Sequence, residues 1–174
     1  MEEKKIIREK KKVLTKYLHN GNGIVTGPHN PASVGTTVYV LDGGESAMVF
    51  TLNRYHEGHP MFGHGGITAS ILDETMGYSC HTREYVNHLN YTPVFTGTVT
   101  YKYIKPVEIG KKYMSFGRVK EADERRRFVE GEILDEDGNV YVLSEGVFIT
   151  DPGVVDPNEH VAYRELTEDD PKEL

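Results

Sequence analysis

Asp73 and Glu74 are the only charged side chains between Ile67 and Cys80, in a stretch otherwise made of small and apolar residues. An unpaired carboxylate in such surroundings costs several kcal/mol or is driven to neutralise. A chain that keeps one there needs it for binding, for a register contact or for chemistry. His64-Gly65-Gly66 precedes the segment. Glycines let the backbone approach a ligand closely. The first N–H groups of a helix lack intrahelical acceptors and sit at the positive end of its dipole. Together they form donors for a carbonyl oxygen that becomes anionic during acyl transfer, although Gly65-Gly66 also suits a plain tight turn. Asp73 lies two turns on, roughly 10 Å along the axis at 1.5 Å per residue. A substrate lying along the helix could meet backbone donors first and a carboxylate further on. Glu74 points about 100° away, so Asp73 is assigned the chemistry and Glu74 a structural role.

Other reactive residues form weaker patterns. His56, His59 and His64, joined by His81 and His88, invite a metal. Their His-x2-His-x4-His spacing matches no familiar zinc pattern, and His56-Glu57-Gly58-His59 falls one residue short of His-Glu-x-x-His. The single cysteine, Cys80, adds no thiolate set and reads as a small filler of a buried helix. No metal is expected. Arg125-Arg126-Arg127, Arg118, Lys120, Lys102 and Lys105 could meet phosphates, but Glu121, Asp123 and Glu124 beside the triple arginine equally make a solvated hairpin tip. No phosphate-cradling loop or dinucleotide fingerprint is present.

The elements that must position these residues follow from periodicity. Residues 3–18 read as an amphipathic helix, with Ile7, Leu14 and Leu18 on one stripe and Ile6, Val13 and Tyr17 beside it. Residues 20–35, rich in Gly, Asn and Pro, are a loop. Thr36–Leu41 and Ala47–Leu52 alternate around Asp42-Gly43-Gly44-Glu45, a hairpin signal in which Val38 and Val40 face one way and Met48, Phe50 and Leu52 do likewise in the second run. The buried helix comes next, then a linker near Arg83 to Val94. Four strand patterns end the core: Thr96–Ile104, Tyr113–Lys120, Arg127–Leu134 and, after the turn at 135–139, Val140–Thr150. One curved antiparallel sheet around one apolar helix makes an α+β domain. The division is 1–35 for the N-terminal helix and loop, 36–150 for the domain, and 151–174 for an acidic tail whose last dozen residues are expected to be mobile.

The 174 residues carry a net charge of -7, which argues against nucleic acid as the main partner. No stretch approaches the roughly 20 apolar residues of a membrane span. The charged N-terminus lacks a signal-peptide core, so the expected address is the cytoplasm.

Gly58-His59-Pro60, His64-Gly65-Gly66-Ile67 and Leu72-Asp73-Glu74, with the strand Thr96 to Pro106 downstream, resemble the signature of hotdog-fold acyl-CoA thioesterases of the PaaI-like group. The likeness runs from about Thr36 to Thr150. It implies a hotdog fold and hydrolysis of an acyl-CoA thioester to free acid and CoA, with coenzyme A as part of the substrate and no organic cofactor or metal. Asp73 would be the nucleophile or the general base, Gly65 the oxyanion donor through its N–H, and His64 the residue shaping the turn. Thr96 would position water or the carboxylate. Many members carry Asn or Gln shortly before His-Gly-Gly. Here Glu57 and Gly58 stand there with His59 next, so Glu57 or His59 would take that place beside Gly66 in binding substrate. The resemblance also implies a homodimer or dimer of dimers (a homotetramer) with sites at the subunit interface. A non-catalytic acyl-CoA-binding module is the alternative. A hotdog hydratase would need an Asp/His pair at the start of the helix that has no match.

Overall fold

The computed structural model describes residues 5–18, 21–86, 94–150 and 162–174. The chain runs β1 (Val13–Leu18), β2 (Val38–Leu41), β3 (Glu45–Thr51), a 3-10 turn (Arg54–His56), β4 (Glu57–His59), β5 (Phe62–Gly63), α1 (Gly65–Val86), β6 (Val94–Tyr103), β7 (Lys112–Ala122), β8 (Arg126–Asp135), β9 (Val140–Thr150) and β10 (Ala162–Arg164). Eight strands form one antiparallel sheet in the order β10-β1-β2-β3-β7-β8-β9-β6, and β4 and β5 make a separate small hairpin. A large antiparallel sheet carrying one long helix is the hotdog arrangement expected from the sequence.

The β2–β3 hairpin turns at Gly43 and Gly44, both with positive φ, which glycine adopts without a side-chain clash. Val38, Val40, Met48 and Phe50 face the helix, where they pack with Ile71 and Leu72 in the inner core. Across the middle strands Gly117, Gly131 and Ser144 stand in register, and this row of small residues lets α1 settle onto the sheet. A methyl on Gly117 would come within 2.8 Å of the Thr75 carbonyl oxygen and 3.0 Å of Met76 Cα. Hydroxyls stitch the same contact: Ser46 Oγ donates to Thr75 O at 2.5 Å, and Thr75 Oγ1 lies 2.7 Å from Ser115 Oγ.

Three expectations need correction. Residues 13–18 form strand β1 rather than the end of a helix, with Val13, Thr15 and Tyr17 buried. Their two-residue alternation prevails because β1 pairs with both β2 and β10, and a β-branched, aromatic segment suits a half-buried sheet. A bulge between Val13 and Thr15 lets Val13 join the outer core while Tyr17 packs on Tyr78 of α1, ring centroids 4.9 Å apart. The chain end is docked: Lys11 and Leu174 exchange backbone hydrogen bonds, and Lys16 pairs with Asp170 at 2.6 Å. The helix is longer than Ile67–Cys80 and absorbs Arg83 to Val86 of the expected linker, whose residues 87–93 lie outside the described residues.

The sheet's outer face carries a second apolar cluster, with Leu41, Ala47, Phe116 and Leu134 covered by Ile6, Leu166 and Leu174. Arg8 pins this cover. Its guanidinium pairs with Glu45 and Glu132 and lies 3.9 Å above the Phe116 ring. Glu132, almost fully buried, also receives Arg118 at 3.0 Å, so two cations share the cost of burying one carboxylate. No helix among the described residues is long and apolar enough to cross a membrane.

Candidate active site

The start of α1 is built by the segment before it. Asn53 and His56 cap each other's backbone through side-chain acceptors, closing the 3-10 turn that precedes β4. His64 then hydrogen-bonds back to His56 O at 2.8 Å, and Gly58 lies so close that a side chain there would strike His64 Cα. His64 acts as the helix cap: its Nδ1 accepts from Gly66 N–H at 2.9 Å, and its carbonyl accepts from Thr68. The Gly66 N–H is therefore taken, and the Gly65 N–H is the first of the helix, without an intrahelical acceptor. Tyr103 of β6 donates its hydroxyl to Gly65 O at 2.8 Å and ties this turn to the sheet.

Asp73 stands further along α1, half-buried, and accepts a hydrogen bond from Thr96 Oγ1 at 2.9 Å. Thr96 reaches it through a bulge. The pairing of β6 with β9 shifts between Thr96 and Thr98, so Thr96 faces α1 together with Tyr101 and Tyr103 despite their opposite sequence parity. Bulges re-aim side chains in this way near functional sites. Gly97 fits there because a side chain would meet Val147 O at 2.9 Å. Burial pushes the Asp73 carboxyl above its ordinary range, and the Thr96 hydrogen bond works against that rise.

Asp73 and Thr96 open into a cavity of about 450 Å³, walled also by Ser70, Gly77, Tyr78, Tyr101 and Phe148. That volume lies in the range of small-molecule sites, roughly 300–1,000 Å³. Glu74 lines the cavity as well and holds the loop before β2, where Thr26 Oγ1 donates to it. His81, two turns beyond Asp73 on the same helix face, also lines the cavity. Burial pushes its imidazole down to about 4, so it is neutral near pH 7. Its place on the Asp73 face was readable from the helical period; its part in the cavity was not.

The candidate residues divide into three places. Asp73 and Thr96 come together. His64, Gly65 and Gly66 sit at the helix start, eight residues away, roughly 12 Å along the axis. Glu57 and His59 lie exposed on the β4–β5 hairpin, where Glu57 accepts from Met61 N–H and His59 leans on Phe62; neither lines the cavity beside Asp73. Arg126 and Arg127 are engaged at their own turn by Asp123, through its carboxylate and its carbonyl respectively. Of the histidines, His56 is buried within its cap and His64 caps α1, while His88 lies outside the described residues. Among the described residues no group of three His, Cys, Asp or Glu could hold a metal ion.

No protein-family model matches the chain. No curated protein matches it significantly. Solved structures do. A thioesterase superfamily protein is 26% identical, aligned over 74% of this chain and 60% of its own, with a TM-score of 0.64. The chain thus spans less than two thirds of that protein's length. The Escherichia coli PaaI protein of the phenylacetic acid degradation operon is 16% identical over 68% of this chain and 80% of its own, with a TM-score of 0.60. A Streptococcus mutans protein bound to acetyl-CoA is 13% identical over 62% of this chain and 82% of its own, with a TM-score of 0.55. The architecture is that of PaaI-like hotdog proteins of the thioesterase superfamily.

Proposed function

We propose that this hotdog chain hydrolyses an acyl-CoA thioester to the free acid and CoA. The observation that carries the reading is the half-buried Asp73 carboxylate, oriented by Thr96 and facing a cavity on the side of α1. Likeness to thioesterase superfamily structures and to an acetyl-CoA-bound neighbour supports it. Asp73 takes a proton from the water that attacks the thioester carbon, or attacks that carbon itself. In the second case water then opens the resulting mixed anhydride, releasing the free acid and restoring the Asp73 carboxylate. The new C–O bond forms as the C=O electrons move onto oxygen. The C–S bond then breaks, and the CoA thiolate leaves and takes up a proton. A thioester is already activated, so the reaction asks for no organic cofactor and no metal.

The Gly65 N–H is the oxyanion donor in this reading, and geometry calls for a second copy of the chain. Roughly 12 Å along one helix separates Gly65 from Asp73, too far for both to touch one carbonyl. Strand β6 forms the end of the sheet and exposes Phe95 and Tyr103. Pairing two such edges in a dimer brings the helix start of one protomer toward the Asp73 of the other. His64 sets the Gly65 turn, while Gly66, Glu57 and His59 border the incoming substrate at that interface.

Thiol release from short, medium, long and aromatic acyl-CoAs tests the reading and reports the acyl preference. Release from at least one ester, dependent on Asp73, supports it. Binding without release makes the protein an acyl-CoA-binding module, a reading favoured by Glu57 and His59 standing where the resemblance calls for Asn or Gln.

The pH profile gives a second test. Asp73 must be ionised to act, and its carboxyl lies above the usual range, so kcat/KM falls on the acid side through that raised value. Thr96→Val removes the one hydrogen bond that lowers it. The acid limb should move to higher pH and the plateau should drop. An unmoved limb would separate Thr96 from the titrating group.

A further inference from the structure

The structure assigns a further catalytic group to the reaction proposed above, on which this inference rests: the phenol of Tyr101, as a hydrogen-bond donor to the thioester oxygen from within the protomer that supplies Asp73. Three polar side chains of β6 face α1. Tyr103 meets the helix start at Gly65 O, Thr96 meets Asp73, and Tyr101 lies between them along the strand. Its partner across β9 is Ser144, whose hydroxyl meets Met76 of α1, which fixes the helix-facing side of both residues. Tyr101 lines the same cavity as Asp73, Thr96 and Ser70.

The hydroxyls of that cavity are not equally available. Thr96 donates to Asp73, and Ser70 donates to Gly66 O within the helix. The Tyr101 hydroxyl makes no hydrogen bond to any described residue, while its ring is held beside Tyr103 at 6.4 Å. Burial, then the nearby Asp73 charge, pushes its phenol up to about 12. It therefore keeps its proton across the working pH range and serves as a fixed neutral donor. A substrate whose acyl carbon reaches Asp73 passes Tyr101, so the carbonyl oxygen, on which charge develops, is the acceptor it would meet. A donor aimed at that oxygen strengthens as the oxygen becomes anionic, so it acts on turnover more than on ground-state binding.

Tyr101→Phe keeps the ring and its packing and removes only the hydroxyl. With the best ester of the acyl-CoA panel, kcat is expected to fall about 100-fold, as for loss of one oxyanion donor, with KM changed less than threefold and the unfolding temperature retained. Replacing Tyr101 by ring-fluorinated tyrosines, which are stronger donors while still protonated, should restore turnover above the Phe variant. A Tyr101→Phe enzyme with wild-type kcat overturns the inference and leaves Asp73-dependent hydrolysis standing. A rise in KM alone makes Tyr101 a binding wall and overturns it too. A wild type that releases no CoA from any ester removes the underlying reading, and the inference with it.

Discussion

Asp73→Asn is expected to lower kcat for acyl-CoA hydrolysis by about a thousandfold or more, whether the carboxylate attacks directly or serves as the base. The amide keeps the size and can still accept from Thr96, so the cavity walls stay in place. Stability should move the other way. The folded-state pKa of Asp73 is raised, so the folded protein disfavours the charged form relative to the unfolded chain. That penalty is absent below the unfolded pKa, grows as pH rises from there through the folded one, and is fully present above it. Removing the charge should therefore leave the unfolding temperature equal or slightly higher. Thiol release and thermal unfolding on the same preparation decide the matter. Near-wild-type turnover would take the chemistry away from Asp73, and a large loss of stability would make it a structural acid.

Gly117→Ala is expected to be the most damaging small change in the sheet. Its added methyl would face the Thr75 carbonyl oxygen at 2.8 Å and Met76 Cα at 3.0 Å. Both are backbone atoms of α1, so relief requires the helix to lift. Overpacking of this kind costs about 1–3 kcal/mol and more where backbone must move, which lowers the melting temperature by roughly 2–4 °C per kcal/mol in a chain of this size. Gly131→Ala is the internal control. Its methyl would meet Ser144 Oγ and the Met76 side chain, groups that can rotate away. Urea unfolding of the two variants should rank Gly117→Ala clearly below Gly131→Ala. Equal losses would mean that the helix is not held at Thr75–Met76 as described. Lifting α1 also displaces Asp73, two residues before Thr75, so Gly117→Ala should lose activity even where it remains folded.

The core of the fold was legible because its signals were local. Val38, Val40, Met48 and Phe50 alternate around a Gly-Gly turn, and the apolar stretch Ile67–Cys80 admits two acids only. Strand β1 was ambiguous for a physical reason. Leu14 and Leu18 satisfy a helical spacing while Val13, Thr15 and Tyr17 satisfy a strand, and pairing partners far along the chain decide between them. Those partners include Ala162 to Arg164, in a segment whose acidic composition resembled a free tail. At the site, Asp73 and the Gly65 turn stood out by charge and by glycine. Simple alternation along β6 would have put Thr96 on the face away from Asp73. Only a glycine within a strand hinted at the bulge that reverses this. Tyr101 and His81 became visible as cavity residues only once strand and helix were brought face to face.

The two ends of the sheet differ in a way that bears on how many chains assemble. Among the described residues, strand β6 offers ten residues, whereas β10 at the opposite end has three. Head-to-tail addition, β6 of one chain on β10 of the next, would generate an open filament, the hazard of any sheet with two usable borders. The described part of β10 offers three residues to that contact, against ten for β6 meeting its own copy about a two-fold axis. In the dimer proposed above, pairing β6 with its own copy uses up the longer described border.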